Sequence, residues 1–253
     1  VTQRIIKKLG QIASTNGMAM ELALQGAPAG TTVVAEGQSG GRGRLQRQWF
    51  SPSTGGLYFS VIERPKIPPA DMPAVALGVG VAVCRAIEKE CNLRPALKWP
   101  NDLLLSGRKV GGILCETGSP ASAASLVVIG VGINVAIPAE LFPTELRERA
   151  ISLTMLSSSN FSLETLLQTT LAEIDRVVLQ MERDGVASIF ADWRVRDGLQ
   201  GQILSWVATD GRIIAGKALG LDDHGRYRIQ DEAGKIQTVL SGDLHLASSS
   251  PHS

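Results

Sequence analysis

Three short segments carry side chains whose types and spacing could do chemistry. The first is Gly40-Gly41-Arg42-Gly43-Arg44, with Arg47 and Trp49 close behind. Glycines let a backbone approach an anion and aim its N–H groups at phosphate or carboxylate oxygens, and arginines add planar donors of permanent charge. Taken alone, this pentapeptide fits a flexible surface loop or an RG-type nucleic-acid segment equally well. It is not a P-loop, because no Gly-Lys-Ser or Gly-Lys-Thr closes it.

The second segment is Lys98-Trp99-Pro100-Asn101-Asp102, followed by Lys109-Val110-Gly111-Gly112. A strand that ends on Lys98 and stiffens through Trp-Pro would present an amide and a carboxylate at one strand end. A turn at Ser106-Gly107 then returns Lys109 toward Lys98. A surface hairpin with solvated charges is the plainer reading of the same residues. In the third segment, Gly130-Val131-Gly132-Ile133-Asn134, glycines inside a strand mark close approach of a ligand or of a packed helix. Asn134, an amide among β-branched neighbours, needs a hydrogen-bonding partner.

These segments have to be held by regular elements, and the pattern supplies them. Residues 3–9 read as a strand, and Ser14-Thr15-Asn16 as the N-cap of a helix that runs to about Gln25 and stops at Gly26. Thr32 to Glu36 and Leu57 to Glu63 are strands on either side of the Gly/Arg loop, and Ala70 to Glu90 is a largely buried helix. Leu93 to Trp99, Leu103 to Leu105, Val110 to Glu116 and Leu126 to Val135 make a mostly antiparallel meander. From Ser162 to Asp184 apolar residues recur at a helical period between an N-cap serine and Gly185, and a shorter helix covers Val186 to Arg194. After Arg196, hairpin signals at Thr209-Asp210-Gly211, Asp223-His224-Gly225 and Glu232-Ala233-Gly234 predict a small β-barrel. The predicted division is therefore a main domain at 1–196, a barrel at 197–248 and a polar tail at 249–253.

Composition narrows the function classes. Of 253 residues, 44% are hydrophobic and 19% charged, as in an ordinary globular protein. Twenty-five Lys and Arg against 24 Asp and Glu leave a formal charge of +1, which gives no basic field for nucleic acid or anionic membrane. The uncharged run from Thr117 to Ala139 has an apolar block, Leu126 to Ile137, too short to span a bilayer as a helix, so it is read as a buried strand. Cys84, Cys91 and Cys115 show no CxxC spacing and fit reduced thiols in the cytoplasm, and no signal-peptide pattern is visible. The histidines, His224, His245 and His252, all come late, so neither a Ser-His-Asp triad nor a His-ligated zinc is expected in the main domain.

Taken in order, the motifs GRGR, WFSP, LYFS, KWPND, RKVGGIL and GxGIN, with Ser14-Thr15-Asn16 ahead of them, resemble the catalytic domain of biotin protein ligases. The resemblance is close over roughly residues 10–135. It implies an α+β fold: a mixed, largely antiparallel sheet packed with helices, as in class II synthetases, plus a small SH3-like barrel. It also implies an ATP-dependent ligase that makes biotinyl-adenylate, with Mg²⁺, and transfers biotin to a lysine of a biotin carboxyl carrier protein. Ser14, Thr15, Asn16 and Gln38 would line the biotin pocket together with Gly112, and Arg42, Gly43 and Arg44 would lie in a loop that orders over biotin and the adenylate. Lys109 would contact the biotin carboxylate and the α-phosphate. Asn101 would contact the adenine, and Asp102 the metal or the acceptor lysine. Arg44, Trp49, Lys98 and Asn134 would complete the nucleotide side. Lys109, Arg42 and Asp102 are the catalytic candidates. Lipoate and octanoyl ligases and transferases share the fold class but lack WFSP and KWPND.

Two departures from the family pattern stand out. Many bacterial members begin with a winged-helix DNA-binding domain, whereas here the first strand comes almost at residue 1, so specific DNA binding is not expected. Gln46-Arg47 stands where some members have Gly-Arg. The segment Pro138 to Ala150, where the family folds a loop over the adenylate, matches no clear pattern. A monomer and a homodimer both fit the sequence.

Overall fold

The computed structural model describes residues 4–118, 126–157, 161–207, 213–239 and 244–246. Its main body is a seven-stranded mixed sheet in the order β1-β2-β3-β7-β6-β5-β4, made of β1 (Ile6–Ile12), β2 (Thr32–Gln38), β3 (Gly56–Glu63), β4 (Ala96–Lys98), β5 (Asp102–Leu105), β6 (Arg108–Thr117) and β7 (Val127–Asn134). Only β1 and β2 pair in parallel, because α1 (Thr15–Leu24) crosses between them, and every other pair in this sheet is antiparallel.

The two faces of the sheet are covered unequally. Odd-numbered residues of β3 and β7, such as Phe59, Val61, Ile129 and Ile133, join the main core with α2 (Val75–Cys91) and α3 (Leu163–Asp184). Even-numbered residues face the other way, where α1 covers one end through Ala19 and Ala23 against Val33, Ile62 and Val128. A helix of ten residues spans only about 15 Å. Asn16 at the start of α1 lies over Gly130, and the rest of that face, over Gly112 and Gly132, is roofed by Trp49 of the chain between β2 and β3.

The element boundaries moved for local reasons. The first strand begins at Ile6 and runs on through Gly10, later than expected, because its partner is β2 in the register Ile6↔Thr32 to Ile12↔Gln38. The helix expected from Ala70 opens as a 3-10 turn, Pro69–Ala74, since Pro73 has no N–H for an α-helical ladder. The strand expected from Leu93 is confined to Ala96–Lys98, because Asn92 caps α2 in the left-handed region. Residues 186–194 split into a 3-10 turn and α4 (Phe190–Val195).

After α4 comes a five-stranded antiparallel sheet, order β11-β10-β9-β8-β12, from β8 (Ile203–Val207), β9 (Ile213–Leu221), β10 (Tyr227–Asp231), β11 (Ile236–Val239) and β12 (His245–Leu246). It shares the main core through Leu204, Tyr227 and Ile229, and Trp99 Nε1 donates to Gly225 O at 3.1 Å. The predicted turns at 223–225 and 232–234 lie between strands. The turn at 209–211 and the tail lie outside the described residues.

Pro69–Cys91 is apolar and long enough to cross a membrane, but 67% of its most apolar window is buried.

Candidate active site

The cavity is built on a floor without side chains. On β6 and β7, Gly112 pairs with Gly132, and Gly130 lies two residues back on the same face. A Cβ on Gly130 would fall 2.0 Å from Asn16 Oδ1, and one on Gly132 would fall 2.5 Å from Trp49 Nε1. The glycines therefore make room for two particular side chains, one from α1 and one from the loop.

Ser14 caps α1, its side chain accepting from Gly17 N at 3.4 Å, and this sets Thr15 and Asn16 over the sheet. Such a cap is worth about 1 kcal/mol. Gln38, at the end of β2, accepts from Thr15 N at 2.8 Å and from Thr15 Oγ1 at 3.1 Å, and its Nε2 donates to Ser51 Oγ at 3.0 Å. Asn16 Nδ2 donates to Leu114 O at 3.2 Å and to Glu116 Oε2 at 2.8 Å, while Ser60 Oγ approaches Asn16 Oδ1 at 2.5 Å and Thr15 Oγ1 at 2.8 Å. Thr15, Asn16 and Ser60 are all buried, so this network is rigid and pre-formed.

Lys109 reaches the same cavity by a register shift. Between Leu103 and Leu104 the pairing of β5 with β6 skips Val110: Leu103 faces Gly111, and Leu104 faces Lys109. In an unbroken strand Lys109 would share the core face of Gly111 and Ile113. The bulge gives Val110 to the core and turns Lys109 to the site face, with its Cε 3.4 Å from the place of a Gly112 Cβ. There Lys109 Nζ pairs with Asp102 Oδ1 at 2.6 Å and lies 5.2 Å from the centre of the Trp49 ring. The segment 138–150, for which no pattern was recognised, meets this edge: Lys109 N donates to Arg149 O, and Ile151 N to Lys109 O.

The roof is the expected Gly/Arg loop. Gly43 N donates to Arg47 O at 2.7 Å and Trp49 N to Gly41 O at 2.9 Å, which folds the loop on itself. Leu45 and Gln46 both take positive φ, 55° and 59°. Arg42 Nη2 lies 3.6 Å from Glu116 Oε2.

The resulting cavity, about 170 Å³, is lined by Ser14, Thr15, Asn16, Gln38, Arg42, Gly43, Arg44, Trp49, Lys98, Asn101, Asp102, Lys109 and Gly112. Asn134 is not brought to its wall. It is 3% exposed, and its Nδ2 reaches Lys109 O at 3.4 Å, which is the partner this buried amide required. Asn101 Nδ2 gives one of its two N–H groups to Ile113 O at 2.8 Å, which fixes the amide in the turn after β4 with its other N–H and its oxygen left for a ligand. Sequence reasoning missed Ser51, Ser60 and Glu116 as participants. Ser60 carried a signal, a lone serine between Phe59 and Val61 in a strand of mostly apolar residues. No cluster of three metal-ligating side chains occurs among the described residues. Burial pushes the Cys115 thiol up to about 12, with Glu116 adding to it, and Cys91 likewise to about 12, so neither is a thiolate nucleophile.

Comparison with known proteins agrees with this arrangement. Residues 9–134 match the biotin/lipoate A/B protein ligase family, and residues 207–244 match the biotin protein ligase C terminal domain. A bifunctional ligase/repressor BirA of Bacillus spizizenii is 35% identical over 235 residues, covering 93% of this chain and 72% of that one. A biotin--[acetyl-CoA-carboxylase] ligase of Mycobacterium tuberculosis is 30% identical over 246 residues, covering 95% and 88%. The biotin protein ligase of Aquifex aeolicus, solved in complex with biotin and ATP, superposes with a TM-score of 0.84 at 28% identity, covering 96% of this chain and 99% of that one. Likeness of this extent, in sequence and in fold together, leaves a single assignment, and the chain belongs to the biotin protein ligase family.

Proposed function

We propose that this protein joins biotin to ATP as biotinyl-adenylate and then transfers the biotin to a lysine of a biotin carboxyl carrier protein. The observation that carries this reading is one cavity that joins a rigid neutral polar pocket, around Thr15, Asn16 and Gln38, to the charged pair Lys109–Asp102. The first end suits a ureido group, with fixed donors and acceptors. The second suits a carboxylate meeting a phosphate.

A carboxylate is a poor acyl donor because oxide would have to leave. Its oxygen therefore attacks the α-phosphorus of ATP, the bond to the bridging oxygen breaks, and pyrophosphate departs. Lys109, freed from Asp102 by the incoming anions, holds the biotin carboxylate and the α-phosphate, and Arg42 and the N–H groups of the loop add further positive charge. Arg44, Trp49, Lys98 and Asn101 make up the nucleotide side, and Asn134 supports it from behind through the Lys109 carbonyl.

Magnesium fits this site only as a companion of the nucleotide. Among the described residues Asp102 is the one carboxylate lining the cavity, and an ion bound mainly by phosphates needs no more than one or two. When bound it supplies charge neutralisation on the phosphates. In the second half, the ε-amine of the acceptor attacks the acyl carbon and AMP leaves with the bonding electrons. Asp102 then orients the amine and takes its proton. The buried, unpaired thiols at Cys84 and Cys91 agree with a cytoplasmic setting.

Biotin-dependent exchange of labelled pyrophosphate into ATP tests the reading. Exchange with biotin and none with lipoate or octanoate is expected. The reverse preference would move the chain to the lipoate side of the broader family, and no exchange with any of them would end the proposal.

A further inference from the structure

Glu116 belongs to none of the recognised motifs, yet it touches both halves of the site. Its Oε2 accepts from Asn16 Nδ2 at 2.8 Å, on the floor, and lies 3.6 Å from Arg42 Nη2, in the roof. Leu114 O takes the other N–H of the same amide at 3.2 Å, and Ser60 Oγ stands at 2.5 Å from Asn16 Oδ1. Both amide hydrogens are thus consumed, and Asn16 can show a ligand only an acceptor.

We infer that Glu116 is a positioning residue for biotin, one that sets the polarity of the pocket floor through Asn16 and ties the loop above to that floor through Arg42. The inference rests on the proposed function. Two consequences separate the two contacts. The Asn16 contact needs an acceptor of either charge, so glutamine can partly replace it. The Arg42 contact needs the negative charge, so glutamine cannot.

Glu116→Gln and Glu116→Ala, made in the full chain, should therefore differ in one property and agree in another. The KM for biotin should rise roughly threefold in Glu116→Gln and at least about tenfold in Glu116→Ala, as expected for weakening and for losing a hydrogen bond to a charged group. The KM for ATP should stay within about twofold in both, given that one hydrogen bond is worth far more. Release of biotinyl-adenylate, followed by stopped-flow tryptophan fluorescence, should quicken by a similar several-fold factor in both variants.

A purely structural role would instead lower the melting temperature and move both KM values together. That result, or wild-type biotin KM and release in both variants, overturns the inference. If Glu116→Ala does not fold, Glu116→Gln decides alone by its release rate. A wild-type protein that makes no biotinyl-adenylate would remove the functional reading and this one with it, whereas active wild type with indifferent variants removes only this one.

Discussion

Lys109 Nζ and Asp102 Oδ1 lie 2.6 Å apart, on neighbouring strands of one hairpin. The two groups assigned to opposite half-reactions therefore neutralise each other before substrate arrives. Their side chains are only 35% and 19% exposed, so neither charge would be well served by water alone. In the mechanism proposed above, an incoming carboxylate and phosphate take Lys109 and in doing so release Asp102 for the amine of the second step.

Lys109→Ala is expected to remove adenylate synthesis while the protein stays folded. Loss of one such donor to a developing charge costs ~2.7 to 4 kcal/mol of barrier, or roughly a hundred- to a thousandfold in rate. Pyrophosphate exchange measured beside thermal melting checks it, and near-normal exchange would withdraw the assignment.

Arg44→Gly should leave adenylate formation standing but loosen the roof over a reactive anhydride. A charge-assisted hydrogen bond is worth about 1.5 to 3 kcal/mol, so the adenylate should escape at least about tenfold faster and label lysines of a bystander such as serum albumin. Unchanged release and unchanged bystander labelling would shift the retaining role to residues 138–150, which already bond the backbone of Lys109. The same roof should be more open to trypsin in the free enzyme than with biotin and ATP present.

Gln46 has φ 59°, a left-handed backbone next to a second one at Leu45. Such a conformation costs an L-residue about 1 to 2 kcal/mol and glycine almost nothing. Gln46→Gly, which restores the residue some family members carry, should favour the folded loop and slow tryptic cleavage after Arg44 and Arg47 by a few-fold. Faster cleavage would mean that glycine adds more freedom to the open loop than it relieves in the closed one.

Glu63 closes β3 where burial pushes its carboxyl up to about 7, helped by Asp175 and Glu182 against the opposing pull of Arg4 and Arg64. The unfolded chain titrates near 4.5, so the fold prefers the protonated group. The stability this preference contributes is full below the unfolded value and is lost as pH rises through about 7. Glu63→Gln should therefore raise the melting temperature at about pH 8.5 and change it little at about pH 4. An equal effect at both pH values would refute the titration.

Much of this protein was legible along the chain because the relevant physics is local. The helical period and Ser162 cap of α3, the N-cap at Ser14, and the alternation of core residues with glycines in β7 are set by neighbours a few residues apart. The motifs that resemble the family named nearly every wall of the cavity. What they could not supply was direction. Lys109 reaches the site only because the hairpin skips Val110, a choice made by the β5–β6 pairing and by the core's demand for valine. Ser60 and Glu116 matter only because α1 sets Asn16 between them, at sequence separations of 44 and 100 residues. Asn134 turned inward to a carbonyl rather than out to the cavity, since a buried amide takes whatever partner the neighbouring strand offers. Spacing along a chain determines which face of its own element a residue occupies. Which face meets which, and with what shift of register, is decided by the long-range pairing of strands that bury the core.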